Sequence, residues 1–347
     1  MKYSQISFLM FSVLISFSLI IHYVDGRNKS KAEEDDLEIE RQLRVLNKKP
    51  VKTMIVIIDC IDIYKQPAFD NPLLMIIKSS SIPGETRSKN ISASSIFRGL
   101  HTERCPSGTV PIHRTTREDL VNAKYSVKKN EPIGANGYPN VGFHFVYVEE
   151  VIPGGKYFGA AASMTIHNLT VDLDQFSTSQ IWIVNSSEEE TNGIEFGIMT
   201  DGHHPTGCYN MLCPGFVQVS RDVFLADQFA HSSTYGQKVY EAHLMVYRAQ
   251  DTGHWWLRVG PNAEVTEDVG YWPVQLFTHL RTVHHRYDMV GLQVHYLKNQ
   301  LRLWVNGYFP QLNDHKKTAF MRLLRYVNET GNLVNLDTHS VRTMNTA

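Results

Sequence analysis

Two glycine-containing words in the second half of the chain carry side chains that could do acid–base or hydrogen-bonding chemistry. In Gly193-Ile-Glu-Phe-Gly197, Ile194 and Phe196 face one side of an extended strand, which sends Glu195 to the other. In Val290-Gly-Leu-Gln-Val294 the same alternation sets Gln293 opposite Leu292 and Val294. Glycines beside a carboxylate leave room for a substrate backbone. A carboxylate can take a proton from water, whereas a glutamine is neutral and only donates and accepts hydrogen bonds. Taken alone, a strand glutamate is more often a solvated residue than a catalyst. The remaining clusters are blander. His203-His204 and His284-His285 point their two rings to opposite faces, and neither pair has a third ligand at helical spacing, so no metal and no cofactor are expected. Gly-x-Ser-x-Gly is absent, which removes the usual serine elbow. Trp255-Trp256 and Trp272 read as core and sheet-face aromatics.

Residues facing one cleft from distant parts of the chain need strands to hold them, and strands are what the pattern gives. From residue 141 onward the hydrophobic period is two: Phe143, Phe145 and Tyr147 alternate with His144, Val146 and Val148. Val239–Tyr247 and Trp255–Val259, joined through Ala249-Gln-Asp-Thr-Gly253, predict a hairpin. A second is predicted from Val290–Tyr296 to Leu301–Val305 across Leu297-Lys-Asn-Gln300. Many short strands at near-regular spacing argue for a mainly β fold, a sandwich or a barrel. Ahead of it, residues 27–50 are a mixed-charge run, and Met54–Ile58 leads into Asp59-Cys60. The polar, breaker-rich stretch 128–140, with Pro132, Gly134, Gly137 and Pro139, marks the domain boundary.

Composition narrows the class. The chain has 347 residues and a formal net charge of −1, which argues against nucleic-acid or anionic-membrane partners. Met1-Lys-Tyr, an apolar run from Ile6 to Ile21 and Val24-Asp-Gly26 form a secretory signal over residues 1–26, so the protein is expected outside the cell, free of the membrane after processing, as a monomer. Five Asn-x-Ser/Thr sequons, at Asn28, Asn90, Asn168, Asn185 and Asn328, point the same way. In an oxidising compartment the four cysteines, Cys60, Cys105, Cys208 and Cys213, serve as bridges, with three pairings open.

Several longer words recur in an order that is recognisable: Ile58-Asp-Cys-Ile-Asp-Ile-Tyr-Lys-Gln-Pro-Ala-Phe-Asp70, Gly207-Cys-Tyr-Asn-Met-Leu-Cys-Pro-Gly-Phe-Val-Gln218, Gly253-His-Trp-Trp-Leu257 and Gly270-Tyr-Trp-Pro-Val-Gln-Leu-Phe277. Together they resemble the plant neprosin family of secreted glutamic peptidases. The resemblance implies an antiparallel β-sandwich catalytic domain over 141–347 and a small α+β activation-peptide domain over 27–130, ahead of it. With two cysteines in each resembling block, it favours Cys60–Cys105 and Cys208–Cys213, each bridge inside one domain.

For the site, the resemblance implies that Glu195 is the catalytic base and that relatives cut after proline in a peptide or protein substrate. Where the family carries its second catalytic glutamate, in Trp-Gly-Gly-Glu-Val, this chain has Gln293. An amide can steady an oxyanion but cannot share acid and base duties with a carboxylate. A segment of about 15–20 residues is also missing near Thr200, where Phe196-Gly-Ile-Met-Thr200 runs straight into Asp201-Gly-His203. The alternative expectation is therefore a non-catalytic extracellular β-sandwich that binds peptides or cell-wall components. The pair Glu195 and Gln293 is expected on one sheet surface, with side chains about 4–7 Å apart.

Overall fold

The computed structural model describes residues 34–55, 57–74, 97, 103–121, 143–150, 156–168, 176–186, 191–201, 214–225, 229–278, 280, 288–297, 311, 313–336 and 341–345. The expected signal, the 128–140 stretch, the His203-His204 and His284-His285 pairs, and the Cys208–Cys213 bridge lie outside these residues. No helix among the described residues is long and apolar enough to cross a membrane.

The N-terminal body begins with a helix over residues 34–46, inside the mixed-charge run. On its exposed face Glu38 accepts hydrogen bonds from Arg41 and Gln42, one helical turn on. A second, short helix over 117–121 is started by Thr116, whose hydroxyl accepts from the Asp119 N–H while the Asp119 carboxylate accepts from the Thr116 N–H. Between them β1 (Lys52–Ile55), β2 (Ile58–Asp62) and β3 (Thr109–His113) form an antiparallel sheet with β2 in the middle. Asp59 on β2 is buried, and its charge is met by the Arg114 guanidinium at 2.7 Å and the Thr53 hydroxyl at 2.8 Å. Cys60 and Cys105 are bonded, with Cα atoms 5.5 Å apart, as expected.

The rest is mainly β. In chain order the strands are β4 (Phe143–Glu150), β5 (Gly159–Thr165), β6 (Phe176–Ser186), β7 (Thr191–Asp201), β8 (Val217–Gln218), β9 (Glu241–Arg248), β10 (Trp255–Gly260), β11 (Glu267–Trp272), β12 (Asp288–Leu297), β13 (Met321–Val327), β14 (Leu333–Asn335) and β15 (Val341–Asn345). They form two antiparallel sheets, β14-β13-β5-β9-β10-β11-β8 and β15-β4-β12-β6-β7. Alternation puts Ala160, Ala162 and Met164 of β5, Leu244 and Val246 of β9 and Trp255, Leu257 and Val259 of β10 on the inner side of the larger sheet. Ile181 and Ile183 of β6 and Ile194 of β7 meet them from the smaller sheet in the same cluster. Two sheets sharing one core make a sandwich, and each fully buried aliphatic side chain in it contributes about 1.5–3 kcal/mol.

The first expected hairpin forms as β9 and β10, turning at Gly253 with φ +73°. Of the second, the described residues show the first strand, β12. Both edges of β12 are already taken, by β4 along Val290–Leu297 and by β6 along Asp288–His295. The hairpin's expected second strand, Leu301–Val305, lies outside the described residues.

The two halves of the chain also pack more closely than the breaker-rich boundary suggests. Ile61, Ile63, Phe69, Leu74, Val110 and Ile112 of the N-terminal body share a cluster with Val217, Trp256 and Tyr271. Trp256 and Tyr271 stand opposite each other on the outer side of the larger sheet, and both are 0 % exposed. Two aromatics of that size on a sheet surface need a cover, and the N-terminal body supplies it.

Candidate functional site

Both residues singled out in the sequence fall on the smaller sheet, and its register fixes their relation. Glu195 on β7 stands opposite Trp182 on β6, which stands opposite Gly291 on β12. Gln293, two residues along β12, stands opposite Gln180, which stands opposite Gly197. Directly paired residues share a face, as do residues two apart on a strand, so Glu195, Trp182, Gly291, Gln293, Gln180 and Gly197 all belong to one face. Ile181, Ile183 and Ile194 occupy the opposite face, in the core. The candidate pair therefore sits on the outer surface of the five-stranded sheet.

The strands carrying the pair are not neighbours: β6 runs between them. Two inter-strand spacings of about 4.8 Å and an offset of two residues put the Cα atoms on the order of 11–12 Å apart. The 4–7 Å side-chain separation expected from the sequence concerns the Gln293 side chain, which lies outside the described residues. Glu195 is exposed on β7.

The flanking glycines have different physical reasons. A Cβ at Gly193 would meet only the Val184 side chain at 3.7 Å and the Ile183 carbonyl at 3.8 Å, so this position keeps ordinary space. A Cβ at Gly197 would lie 2.1 Å from the Ser179 carbonyl oxygen and 2.6 Å from the Gln180 Cα. Gly197 serves the close approach of β6 to β7.

The sequence reading missed the residues between the pair. Trp182 is half-buried and stands between Glu195 and Gly291, while Gln180 is 6 % exposed although it belongs to the outer face. Both could have been found from Gln180-Ile-Trp-Ile-Val184, where they alternate with two core isoleucines. Tyr147 stands opposite Gln293 on the far side, and Glu149 opposite Gly291, which adds a second carboxylate position to the row of Glu195.

Among the sequons, Asn168 is exposed, while Asn185 is buried within β6 and a glycan there would have to displace its neighbours. The Asn328 side-chain oxygen accepts from the N–H groups of Thr330 and Asn332 and organises a tight turn. Trp255 and Trp256 are buried, the former donating to the Leu280 carbonyl at 3.2 Å.

Comparison with protein families gives two matches. The Neprosin activation peptide model matches residues 56–137, taking in Cys60 and Cys105, and the Neprosin model matches residues 198–347. The second match begins just beyond Glu195 and takes in Gln293.

Proposed function

Because the chain belongs to the neprosin family, we propose that it is a secreted glutamic endopeptidase homologue that takes a peptide across the outer face of its five-stranded sheet. Glu195 is the base. Its carboxylate removes a proton from water as the water oxygen attacks the scissile carbonyl. The Gln293 amide donates a hydrogen bond to the developing oxyanion. Collapse of the tetrahedral species breaks the C–N bond, and the proton held on Glu195 passes to the departing amine. One proton is borrowed and returned, so the cycle balances without a second carboxylic acid. Cleavage after proline follows from the family resemblance, and residues 27–130 are read as a propeptide ahead of the 141–347 domain.

The observation that carries this reading is the register that sets Glu195 and Gln293 on one face with Trp182, Gln180 and Gly291 between them. The half-buried Trp182 on that same face, opposite both Glu195 and Gly291, gives a peptide an aromatic surface to lie against. The test is incubation of the purified secreted protein with a proline-containing peptide at acidic pH, the products being weighed by mass spectrometry. Cleavage that disappears in Glu195→Gln supports the pair, and Glu149→Gln asks whether the second carboxylate position takes part. Cleavage that persists in Glu195→Gln overturns the assignment.

The neutral Gln293 and the short connection after Thr200 favour a second reading, a non-catalytic sandwich that binds peptides or wall components through the same face. It is distinguished by a natural chain that binds the peptide without cutting it, while Gln293→Glu restores the carboxyl pair and cuts.

A further inference from the structure

We propose that the outer face of the larger sheet carries a carboxylate-binding site formed by Arg325, Arg322, Ser163 and His243, on the opposite side of the sandwich from Glu195. The backbone builds it. Along β13, Met321, Leu324 and Tyr326 pack against the sandwich core, so a regular strand would send Arg322 and Arg325 to opposite faces. The pairing of β13 with β5 shifts between Arg322 and Arg325, and the residue inside the bulge, Leu323, has φ 54°. A positive φ at a leucine is strained. The bulge's effect is to return both arginines to the outer face, opposite Ser163 and Ala161. Ser163 is in turn opposite His243 on β9, which gives a row Arg322–Ser163–His243 across three strands with Arg325 one step along.

The floor and the donors are specific. Ser163 Oγ and His243 Nδ1 share a hydrogen bond of 2.9 Å, and both residues are almost fully buried, at 1 % and 2 % exposure. Arg322 Nε donates to the Glu241 carboxylate at 2.7 Å, so its charge is already balanced. Arg325 differs: its Nε is buried and has no hydrogen-bond partner among the described residues. A buried guanidinium donor left unmet costs free energy that an incoming anion recovers. Burial and the nearby charges of Arg325 and Arg322 hold the His243 imidazole well below its usual range, so it adds no positive charge of its own at neutral pH. Among the described residues, the balance of two arginines against Glu241 is one excess positive charge. That suits a monoanionic carboxylate, such as a peptide C-terminus or an acidic side chain, better than a doubly charged phosphate.

The site is tested on the full secreted chain by calorimetric titration with N-acetyl-trialanine bearing a free carboxylate and with the same peptide as its amide. The carboxylate is expected to bind and the amide to bind at least about tenfold more weakly, the loss of one charge-assisted hydrogen bond. Arg325→Gln is expected to lose the same factor, and Arg325→Lys, which keeps the charge but not the Nε–H, to recover part of it. Equal binding of the two peptides by the natural chain overturns the proposal, whether or not the variants fold. So does undiminished carboxylate binding in a folded Arg325→Gln protein. Inorganic phosphate binding more tightly than the peptide carboxylate overturns the charge-balance assignment.

Discussion

The side-chain amide of Gln66 pairs with the backbone of Gln218 as a neighbouring strand would: its Nε2 donates to the Gln218 carbonyl at 3.0 Å and its Oε1 accepts from the Gln218 N–H at 2.8 Å. The same Nε2 donates to the Ile63 carbonyl, which holds the amide in place. Gln66 lies in the segment matched as an activation peptide, and Gln218 ends the edge strand β8 of the larger sheet. Both residues are buried, so removing the amide takes a partner from three backbone groups, the Gln218 N–H and carbonyl and the Ile63 carbonyl. Gln66→Ala is expected to cost about 2–4 kcal/mol of unfolding free energy. Urea denaturation of the natural chain and the variant measures it, and a difference under about 1 kcal/mol would show that water replaces the lost bonds.

The Cys60–Cys105 bridge closes a long loop, the two cysteines standing 45 positions apart. In the chain-entropy account such a closure restrains the unfolded chain by about 3–4 kcal/mol. Cys60→Ser is expected to lower stability by that order. Because β2 also feeds the shared cluster over Trp256 and Tyr271, the loss should raise tryptophan exposure at lower denaturant than in the natural chain. Fluorescence-monitored unfolding of the two proteins checks both expectations.

Acid should weaken the fold. Burial, with Arg325 and Arg322 adding to it, lowers the His243 pKa to about 4, and burial alone takes His167 to about 4. Burial lowers His254 too, partly offset by Asp251. The unfolded chain binds these protons below the ordinary value near 6.5, while the folded chain resists them until about 4. The histidine contribution is thus fully present above about pH 6.5 and is lost as pH falls toward 4. For the nearly fully buried His243 this is on the order of 3 kcal/mol, and less for the half-buried His167. Urea midpoints at pH 7.5 and pH 4.5 should differ accordingly, and His243→Asn should flatten the dependence even if it is less stable at neutral pH. An unchanged slope in that variant would assign the acid sensitivity to other groups. Any peptidase assay in acid therefore runs on a loosened sandwich.

The strands were legible because burial on one face of a sheet writes period two into the sequence: Ile181 and Ile183 against Gln180 and Trp182 announce β6 before any pairing is known. Family membership was legible from long words such as Gly207–Gln218. Strand order was not. Nothing local in Val290–Tyr296 says that both its edges are filled by β4 and β6, since pairing partners are chosen by the global core and not by the turn that follows. The contact of Gln66 with Gln218 was hidden for the same reason, the two residues lying 152 positions apart in the chain. The bulge at Leu323 was hidden too, because a leucine in a strand looks regular until the register of Ser163 and Ala161 shows one residue too many.

Gly193 and Gly197 flank Glu195 symmetrically in sequence but should respond differently to a methyl group. At Gly193 an added Cβ finds ordinary contacts, Val184 Cγ2 at 3.7 Å being the nearest. Alanine there trims the freedom of the unfolded chain, so Gly193→Ala is expected to leave stability unchanged or raise it by about 0.5 kcal/mol. At Gly197 the added Cβ would lie 2.1 Å from the Ser179 carbonyl and 2.6 Å from the Gln180 Cα, both backbone atoms of β6. No rotamer change relieves that contact; β6 and β7 must separate. Gly197→Ala is expected to cost about 3 kcal/mol or more, above the usual range for overpacking because the obstacle is main chain. It should also shift Gln180, whose partner on β12 is Gln293, so peptide binding on the outer face should weaken more than stability alone explains. Thermal unfolding and peptide titration of the two variants decide the matter. A Gly197→Ala protein as stable as Gly193→Ala would mean that β6 and β7 do not approach this closely, and the register joining Glu195 to Gln293 would have to be redrawn.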